Sequence, residues 1–138
     1  RWKGGRFTQL TRGPWEVTRL AGVDEAAGRI FFDATKDDPL AQQTYVIGLA
    51  KPGEPRRLTE LGFANSTQMD RSARALLVSR SNHTQPPQSY LADDAGQRLT
   101  WISENRVAGD HPYAPFLASH RPEEFGTLKA ADGQVLHW

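Results

Sequence analysis

The sequence contains no cysteine, which removes several kinds of site at once. A chain without thiols forms no disulfide framework, binds no zinc through thiolates and has no cysteine nucleophile. The chain also lacks an excess of charge, because 17 basic residues face 16 acidic residues and leave a formal net charge of +1. A dedicated nucleic-acid binder carries a strongly basic surface, so the composition predicts no nucleic-acid partner. No run approaches the roughly 18–20 consecutive apolar residues of a membrane-spanning helix, so no membrane span is predicted.

Helical periodicity is scarce as well. No segment keeps a 3.6-residue apolar stripe for a dozen positions, and the best candidate, 110–120, is interrupted by prolines. Short runs rich in β-branched and aromatic residues alternate instead with clusters of Gly, Pro and Asp. The clearest runs are 16–20, 29–34 and 44–49. This pattern is typical of an all-β sandwich, barrel or propeller.

A recurring Leu-Thr pair marks an internal repeat. It occurs at Leu10-Thr11, Leu58-Thr59 and Leu99-Thr100, at intervals of 48 and 41 residues. Between the markers, the same order of elements is predicted twice: a strand, an Asp-containing turn, the strongest strand, a polar loop, a third strand and the short Leu-Thr strand. Four strands in about 40–50 residues are typical of a propeller blade, whose faces neighbouring blades must cover.

The repeat predicts the organisation of the whole chain. We expect two consecutive four-stranded antiparallel blades, at 13–60 and 61–105, preceded by the end of another blade at 1–12. The second polar loop is placed at 81–87. Residues 106–138 have no counterpart in the repeats and are read as a linker followed by a β-hairpin that turns at Asp132-Gly133.

Aromatic residues support the same fold. Phe31 and Phe32 are consecutive in a predicted strand, so their side chains point to opposite faces of the sheet. Both faces must then be covered, as in a blade between neighbours. We expect the larger aromatic set to pack between blades rather than to line a ligand groove; it comprises Trp15, Phe31, Phe32, Tyr45, Phe63 and Trp101.

Two stretches resemble the dipeptidyl peptidase IV family of the prolyl oligopeptidase group. Residues 10–17, Leu-Thr-Arg-Gly-Pro-Trp-Glu-Val, are similar to a blade start of the form L-T-x-G-x-W-E-V. Residues 33–37 and 57–59 also match that family, and 122–138 are similar to its P-E-x-F-x-x-K-x-x-D-G segment, which leads into the peptidase domain.

The resemblance implies a parent enzyme with an eight-bladed propeller and an α/β-hydrolase domain. Such enzymes use a Ser-His-Asp triad to release dipeptides from peptide N-termini, with Pro or Ala at the second position. This chain would be the last two blades and the first hairpin toward the hydrolase domain, acting as a scaffold and access gate. Peptide substrates would meet it through the parent enzyme, and bacterial relatives of this kind are often exported to the periplasm.

No catalytic, substrate-binding or metal-binding residue and no cofactor is predicted within this chain. A Gly-x-Ser-x-Gly nucleophile elbow is absent around its seven serines. The pair Glu123-Glu124 invites comparison with the two glutamates that bind the substrate amine in the family. It lies in the exit linker rather than in an earlier blade, so we expect two solvated side chains.

Other polar motifs are weak. The four histidines, His83, His111, His120 and His137, show no metal-binding spacing. Asp37-Asp38 lacks the alternating oxygen ligands of a calcium loop and is read as an exposed loop tip. Glycosylation sequons occur at 65–67 and 82–84, and they matter only in a eukaryotic secretory context.

Three further expectations concern context. The chain starts at Arg1 and stops inside an apparent strand, so we expect a segment of a longer protein. Arg outnumbers Lys 13 to 4, which weakly favours a GC-rich bacterial gene. Two blades cut from a ring expose sheet faces, so self-association is predicted. The main alternative is a free-standing β-sandwich or small barrel that binds a glycan or a peptide, and a third reading is an adaptor propeller fragment that serves protein contacts only.

Overall fold

The computed structural model describes residue 5, residues 7–121 and residues 123–138. These residues form ten β-strands and one short 3-10 helix. The predicted end of a preceding blade, 1–12, lies partly outside the described residues, and so does Pro122 of the exit motif.

Eight strands form two antiparallel sheets of four. In each sheet the strands lie side by side in chain order, and each of these eight strands stays within its own sheet. The first sheet contains β1 (Val17–Asp24), β2 (Arg29–Ala34), β3 (Gln43–Gly48) and β4 (Arg56–Arg57). The second contains β5 (Ala64–Met69), β6 (Ala75–Asn82), β7 (Gln85–Asp93) and β8 (Arg98–Ser103). Two successive four-stranded units confirm the predicted propeller blades.

The rest of the chain follows the second sheet. A 3-10 helix (Ala114–Ser119) precedes a hairpin of β9 (Thr127–Lys129) and β10 (Val135–His137). The hairpin turns at Asp132-Gly133 as predicted: Gly133 has φ +88°, a left-handed value that favours glycine. Of the weak helix candidate at 110–120, only residues 114–119 are helical, and they form the 3-10 helix.

Because the strands alternate in direction, their connections gather at two ends. We call the end with residues 25–28, 49–55, 70–74 and 94–97 the turn end. The other end has residues 35–42, 58–63 and the turn at His83-Thr84. The chain leaves the second sheet at this second end, which we call the exit end, and residues 104–138 are the exit segment.

Aspartates set the tight turns at the turn end. Asp70 accepts hydrogen bonds from the backbone N–H groups of Ser72, Arg74 and Ala75, at 2.7–3.0 Å. The Ser72 hydroxyl donates to the same carboxylate, and this is the main reason that the pKa of Asp70 lies well below its ordinary value. Asp24 and Asp93 accept backbone N–H groups in their own turns in the same way. These short side chains replace the backbone partners that a turn leaves unsatisfied.

The sheets pack face to face, and both faces of the first sheet are covered. Phe31 is fully buried in the core between the sheets, against Leu76 and Val78 of β6. Phe32, on the opposite face, is 3% exposed. There the ring of Trp15 stacks on it with centroids 6.3 Å apart. The alternation predicted from Phe31-Phe32 is confirmed. The second face was expected to be covered by a neighbouring blade, and here Leu10 and Trp15 of the N-terminal segment cover it.

The motif around Trp15 has a local explanation. A Cβ atom built on Gly13 would lie 2.0 Å from the indole nitrogen of Trp15, so only glycine leaves room for this ring. The next residue, Glu16, exchanges hydrogen bonds with Thr35 and so aligns the start of β1 with the end of β2. Gly-Pro-Trp-Glu-Val therefore turns the chain, covers the sheet and begins a strand.

Two details of the predicted repeat are wrong. The polar loop at 81–87 is mostly strand, because β6 runs to Asn82 and β7 begins at Gln85. The Asn82 carboxamide accepts hydrogen bonds from the N–H and hydroxyl of Thr84, which closes the turn in two residues. In the first blade, the short strand is Arg56–Arg57, directly before the Leu-Thr marker rather than on it.

Candidate functional site

A buried polar network joins the two sheets, and we call it the seam network. The Asp33 side chain on β2 is 1% exposed and pairs with Arg19 of β1 at 2.7 Å. Its other oxygen accepts a hydrogen bond from the Thr44 hydroxyl at 2.7 Å. Thr67 of the second sheet lies 2.9 Å from the Thr44 hydroxyl, and its carbonyl accepts a hydrogen bond from Arg19. Since a buried carboxylate is costly without partners, these contacts fix the relative position of the sheets.

A second part of the seam network uses amides. The Gln43 side chain is fully buried, and its carbonyl oxygen accepts hydrogen bonds from Thr59 at 2.8 Å and from the Asn65 amide at 2.9 Å. The Asn65 amide also donates to the Phe63 carbonyl at 2.8 Å. Asn65 is thus committed to the seam between the sheets and is 5% exposed, so the folded protein does not present the first sequon.

Ion pairs join the sheets again at the turn end. Arg29 of the first sheet contacts Asp24 at 2.7 Å and Asp94 of the second sheet at 2.6 Å. Arg74 lies 3.2 Å from Asp94 and 3.8 Å from Asp24. Hydrogen bonds from Arg29 are the main cause that lowers the pKa of both carboxyl groups. The same two bonds raise the pKa of the Arg29 guanidinium.

The exit segment is tied to the second sheet through a histidine. The Nε2 atom of His120 lies 3.1 Å from the carbonyl oxygen of His83, and its Nδ1 atom lies 2.8 Å from the Tyr113 hydroxyl. A carbonyl only accepts hydrogen bonds, so Nε2 carries a proton. The Gln85 amide adds a bond to the carbonyl of Asn105 at 2.8 Å. These contacts place 105–120 against the β6–β7 turn.

Two grooves flank this contact. One, of about 450 Å³, lies between the β6–β7 turn and the Tyr113–His120 stretch. The other, of about 590 Å³, is lined by the β2–β3 loop, the start of β5, the end of β6 and the exit segment at Glu123 and Phe125. We call the second one the exit groove. It is the larger concave surface that carries charged side chains at the end where the chain leaves the blades.

The loop beside the exit groove is also ordered by polar contacts. Burial acts to raise the pKa of Asp37, but the Arg57 hydrogen bond and the Lys36 charge together outweigh it and lower that pKa. The Asp37 backbone N–H donates to the Tyr45 hydroxyl at 3.2 Å. Burial raises the pKa of Tyr45 to about 12. Asp37 is therefore part of an ion pair rather than of a cation site.

The residues singled out from the sequence take varied positions. Glu123 lines the exit groove, whereas Glu124 is exposed and does not line it. In the described part of the chain, no serine hydroxyl is hydrogen-bonded to a histidine, and no group of three metal-ligating side chains comes together. Phe31, Phe32 and Tyr45 are buried, so they form no exposed aromatic platform of the kind a glycan-binding module would use. Within the same residues, no helix is long and apolar enough to span a bilayer.

Sequence reasoning missed the seam network. Its members Arg19, Asp33 and Thr67 are polar residues scattered over three strands, and no motif connects them. The available signal was Asp33 itself, a charged residue directly after Ile-Phe-Phe in a strand that must be covered on both faces.

Comparisons with known proteins address the identity of the blades. Residues 2–87 match the model of the dipeptidyl peptidase IV (DPP IV) N-terminal region. Over 81 residues the chain is 38% identical to mouse dipeptidyl peptidase 8 and 35% identical to the human protein of the same name. That stretch is 56% of this chain but 9% of each relative, so the chain spans only about a tenth of their length. Both relatives are mammalian, so a bacterial origin stays a prediction. With more than half of its length matched by the family model, the chain belongs to the dipeptidyl peptidase IV N-terminal region family.

Proposed function

We propose that this chain is a non-catalytic propeller segment of a dipeptidyl peptidase IV-like serine exopeptidase. The parent enzyme would release N-terminal dipeptides with Pro or Ala at the second position. One observation carries the proposal: the seam joins two successive blades through buried contacts at Phe31 and Asp33, in a chain that belongs to this family. Two blades joined in this way are suited to act as a rigid scaffold.

The proposed gate role follows from the stiffness of the seam. Asp33, Thr44 and Thr67 form a closed set of buried hydrogen bonds, and separation of the sheets would break the two that reach Thr67 of the second sheet. Each of these hydrogen bonds contributes about 0.5–1.5 kcal/mol net, because water replaces the lost partner when the sheets separate. Blades that resist separation restrict access to the active site of the parent to short peptides and flexible termini.

The catalytic part of the proposal is tested with the purified chain. Incubation with Ala-Pro-p-nitroanilide is expected to release no chromophore above the buffer rate, because the nucleophile and its base would lie elsewhere in the parent. Turnover that co-elutes with the chain on size exclusion and disappears on denaturation would refute this assignment.

The gate is tested in the complete parent enzyme. Phe31→Ala opens a cavity in the seam, and we expect it to raise cleavage of a long peptide relative to that of a dipeptidyl chromogenic substrate. Ser79→Ala, an exposed change on β6, serves as the matched control. If a folded Phe31→Ala enzyme cleaves the two substrates in the same ratio as the wild type, the gate role is refuted and the blades act as a scaffold only.

A further inference from the structure

The exit groove has an apolar lining and a negative rim. Leu40, Phe63 and Phe125 contribute large apolar side chains, and Asp38 and Glu123 contribute carboxylates. Leu40 is 52% exposed and Phe125 is 59% exposed, so their surfaces are open to a ligand. A volume of about 590 Å³ is in the range of sites that hold small ligands or a few residues of a peptide.

The carboxylates of Asp38 and Glu123 can both accept further hydrogen bonds. One oxygen of Asp38 accepts the backbone N–H groups of Leu40 at 2.8 Å and Ala41 at 3.2 Å, and its second oxygen has no hydrogen bond in the described part of the chain. Glu123 has neither an ion pair nor a hydrogen bond with any described residue. Among the described side chains that line the groove, His83 is the one that can carry a positive charge, and its ring packs edge-on against Phe125 with centroids 5.9 Å apart. The groove is therefore negatively charged at neutral pH and complements a cation with an apolar neighbour.

Beside the groove, the chain already contains an arginine bound by an aromatic ring and a carboxylate. The guanidinium of Arg80 lies 4.0 Å from the ring centroid of Phe63 and pairs with the Glu60 carboxylate. An aromatic ring and a carboxylate together hold one arginine there. In the exit groove, Phe125 and Glu123 are two positions apart and offer the same pair of groups without an arginine of their own.

We propose that the exit groove binds an extended peptide segment in which an arginine follows an apolar residue. The guanidinium lies against Phe125 and pairs with Glu123 and Asp38, and the apolar side chain lies on Leu40 and Phe63. Arginine fits better than lysine, because its planar guanidinium stacks on an aromatic ring and is more weakly hydrated. This binding role does not depend on the proposed peptidase function.

The probe is acetyl-Ala-Leu-Arg-Ala-amide, whose blocked ends exclude recognition of a free terminus. Its control is acetyl-Ala-Leu-citrulline-Ala-amide, a neutral peptide of the same shape. Calorimetry on the full chain at low salt should show saturable binding of the arginine peptide and roughly tenfold weaker binding of the citrulline peptide. Equal affinities, or no saturable binding of the arginine peptide, would overturn the proposal.

Two variants locate the contact. Glu123→Gln should weaken the arginine peptide about two- to fivefold, as expected for an exposed ion pair. Glu124→Gln, one position away and outside the groove, should leave affinity unchanged. An equal loss in both variants would refute the site.

Wild-type protein provides a check that needs no variant. Binding of the arginine peptide should weaken as salt rises, and binding of the citrulline peptide should not. Salt independence of the arginine peptide would contradict the proposal. None of these measurements uses hydrolysis, so failure of the groove and failure of the peptidase assignment are separate results.

Discussion

Arg29 and Asp94 are 65 positions apart in the chain, yet their side chains form an ion pair of 2.6 Å across the turn end of the two blades. The same guanidinium holds Asp24 of its own sheet at 2.7 Å. Arg29 thus connects the β1–β2 turn of the first blade with the β7–β8 turn of the second. This contact and the seam network join the blades at two separate levels.

Replacement of Asp94 should loosen the turn end. Asp94→Asn removes the charge that pairs with Arg29 and Arg74; the Arg29 side chain is 26% exposed, whereas that of Arg74 is 57% exposed. After allowance for solvent screening, we expect a loss of about 1 kcal/mol in the free energy of unfolding. Urea unfolding measures it. The matched control is Asp132→Asn in the exit hairpin, because Asp132 forms no ion pair with any described residue and its replacement should change stability little.

Acid should destabilise the protein through the turn end. The folded-state pKa values of Asp24, Asp70 and Asp94 lie below their ordinary value of 3.8, first of all because Arg29 or Ser72 donates hydrogen bonds to them. A lowered carboxyl pKa contributes stability that is complete above the unfolded-state pKa and is lost as pH falls through the folded-state pKa. We therefore expect the thermal midpoint to fall steeply below about pH 4.

The acid prediction has a simple internal comparison. Asp94→Asn should reduce the loss of stability between pH 5 and pH 3, since one of the carboxyl groups with a lowered pKa is gone. An identical pH profile in the variant and the wild type would contradict a contribution from Asp94.

Gly13→Ala should displace Trp15. The new Cβ atom would lie within 2.4 Å of two indole atoms, so the ring must leave its stacked position on Phe32. We expect a loss of about 1–3 kcal/mol and a red shift of tryptophan emission as the ring becomes exposed. Gly53→Ala, where an added Cβ meets nothing within 4 Å, is the control. Unaltered emission in Gly13→Ala would show that the ring does not depend on this glycine.

The free face of the second blade should mediate self-association. Leu77, Leu91 and Ile102 alternate with residues of the seam core, so they point away from the first sheet. Ile102 is 58% exposed. Ile102→Lys should shift light-scattering mass toward the monomer at high concentration. Leu99→Lys, at a comparably exposed position three residues earlier on β8, should have less effect, and a wild-type chain that stays monomeric would count against the expectation.

Much of the fold could be predicted because it depends on local patterns. The doublet Phe31-Phe32 in one strand required two covered faces, and the structure covers both. Asp and Gly marked the turns because their φ values and side-chain acceptors are local properties. The two prolines at 86–87 were misleading: they indicated a loop, but β7 accommodates them close to a register shift in its pairing with β6.

The site could not be predicted in the same way. Arg29 contacts Asp94, and Arg19 contacts Thr67, only after the two sheets have packed together. No spacing in the sequence indicates that these residues come within hydrogen-bonding distance. Glu123 was read as solvated, which is true of its exposure, yet the fold brings it to the same groove as Asp38. Long-range contacts of this kind depend on tertiary packing and not on local propensity.

The central claim is that two successive blades pack face to face through Thr44 and Thr67, whose hydroxyl oxygens are 2.9 Å apart. Since the chain has no cysteine, the double variant Thr44→Cys/Thr67→Cys can form only one intramolecular disulfide. Oxidation followed by mass spectrometry of proteolytic fragments should show that bond in a monomer. Ser66→Cys with Thr44→Cys is the control, because Ser66 precedes Thr67 on β5 and points to the opposite face. Efficient cross-linking of the seam pair and not of the control is the predicted result; no cross-link in the seam pair, or equal cross-linking of both pairs, would contradict the account.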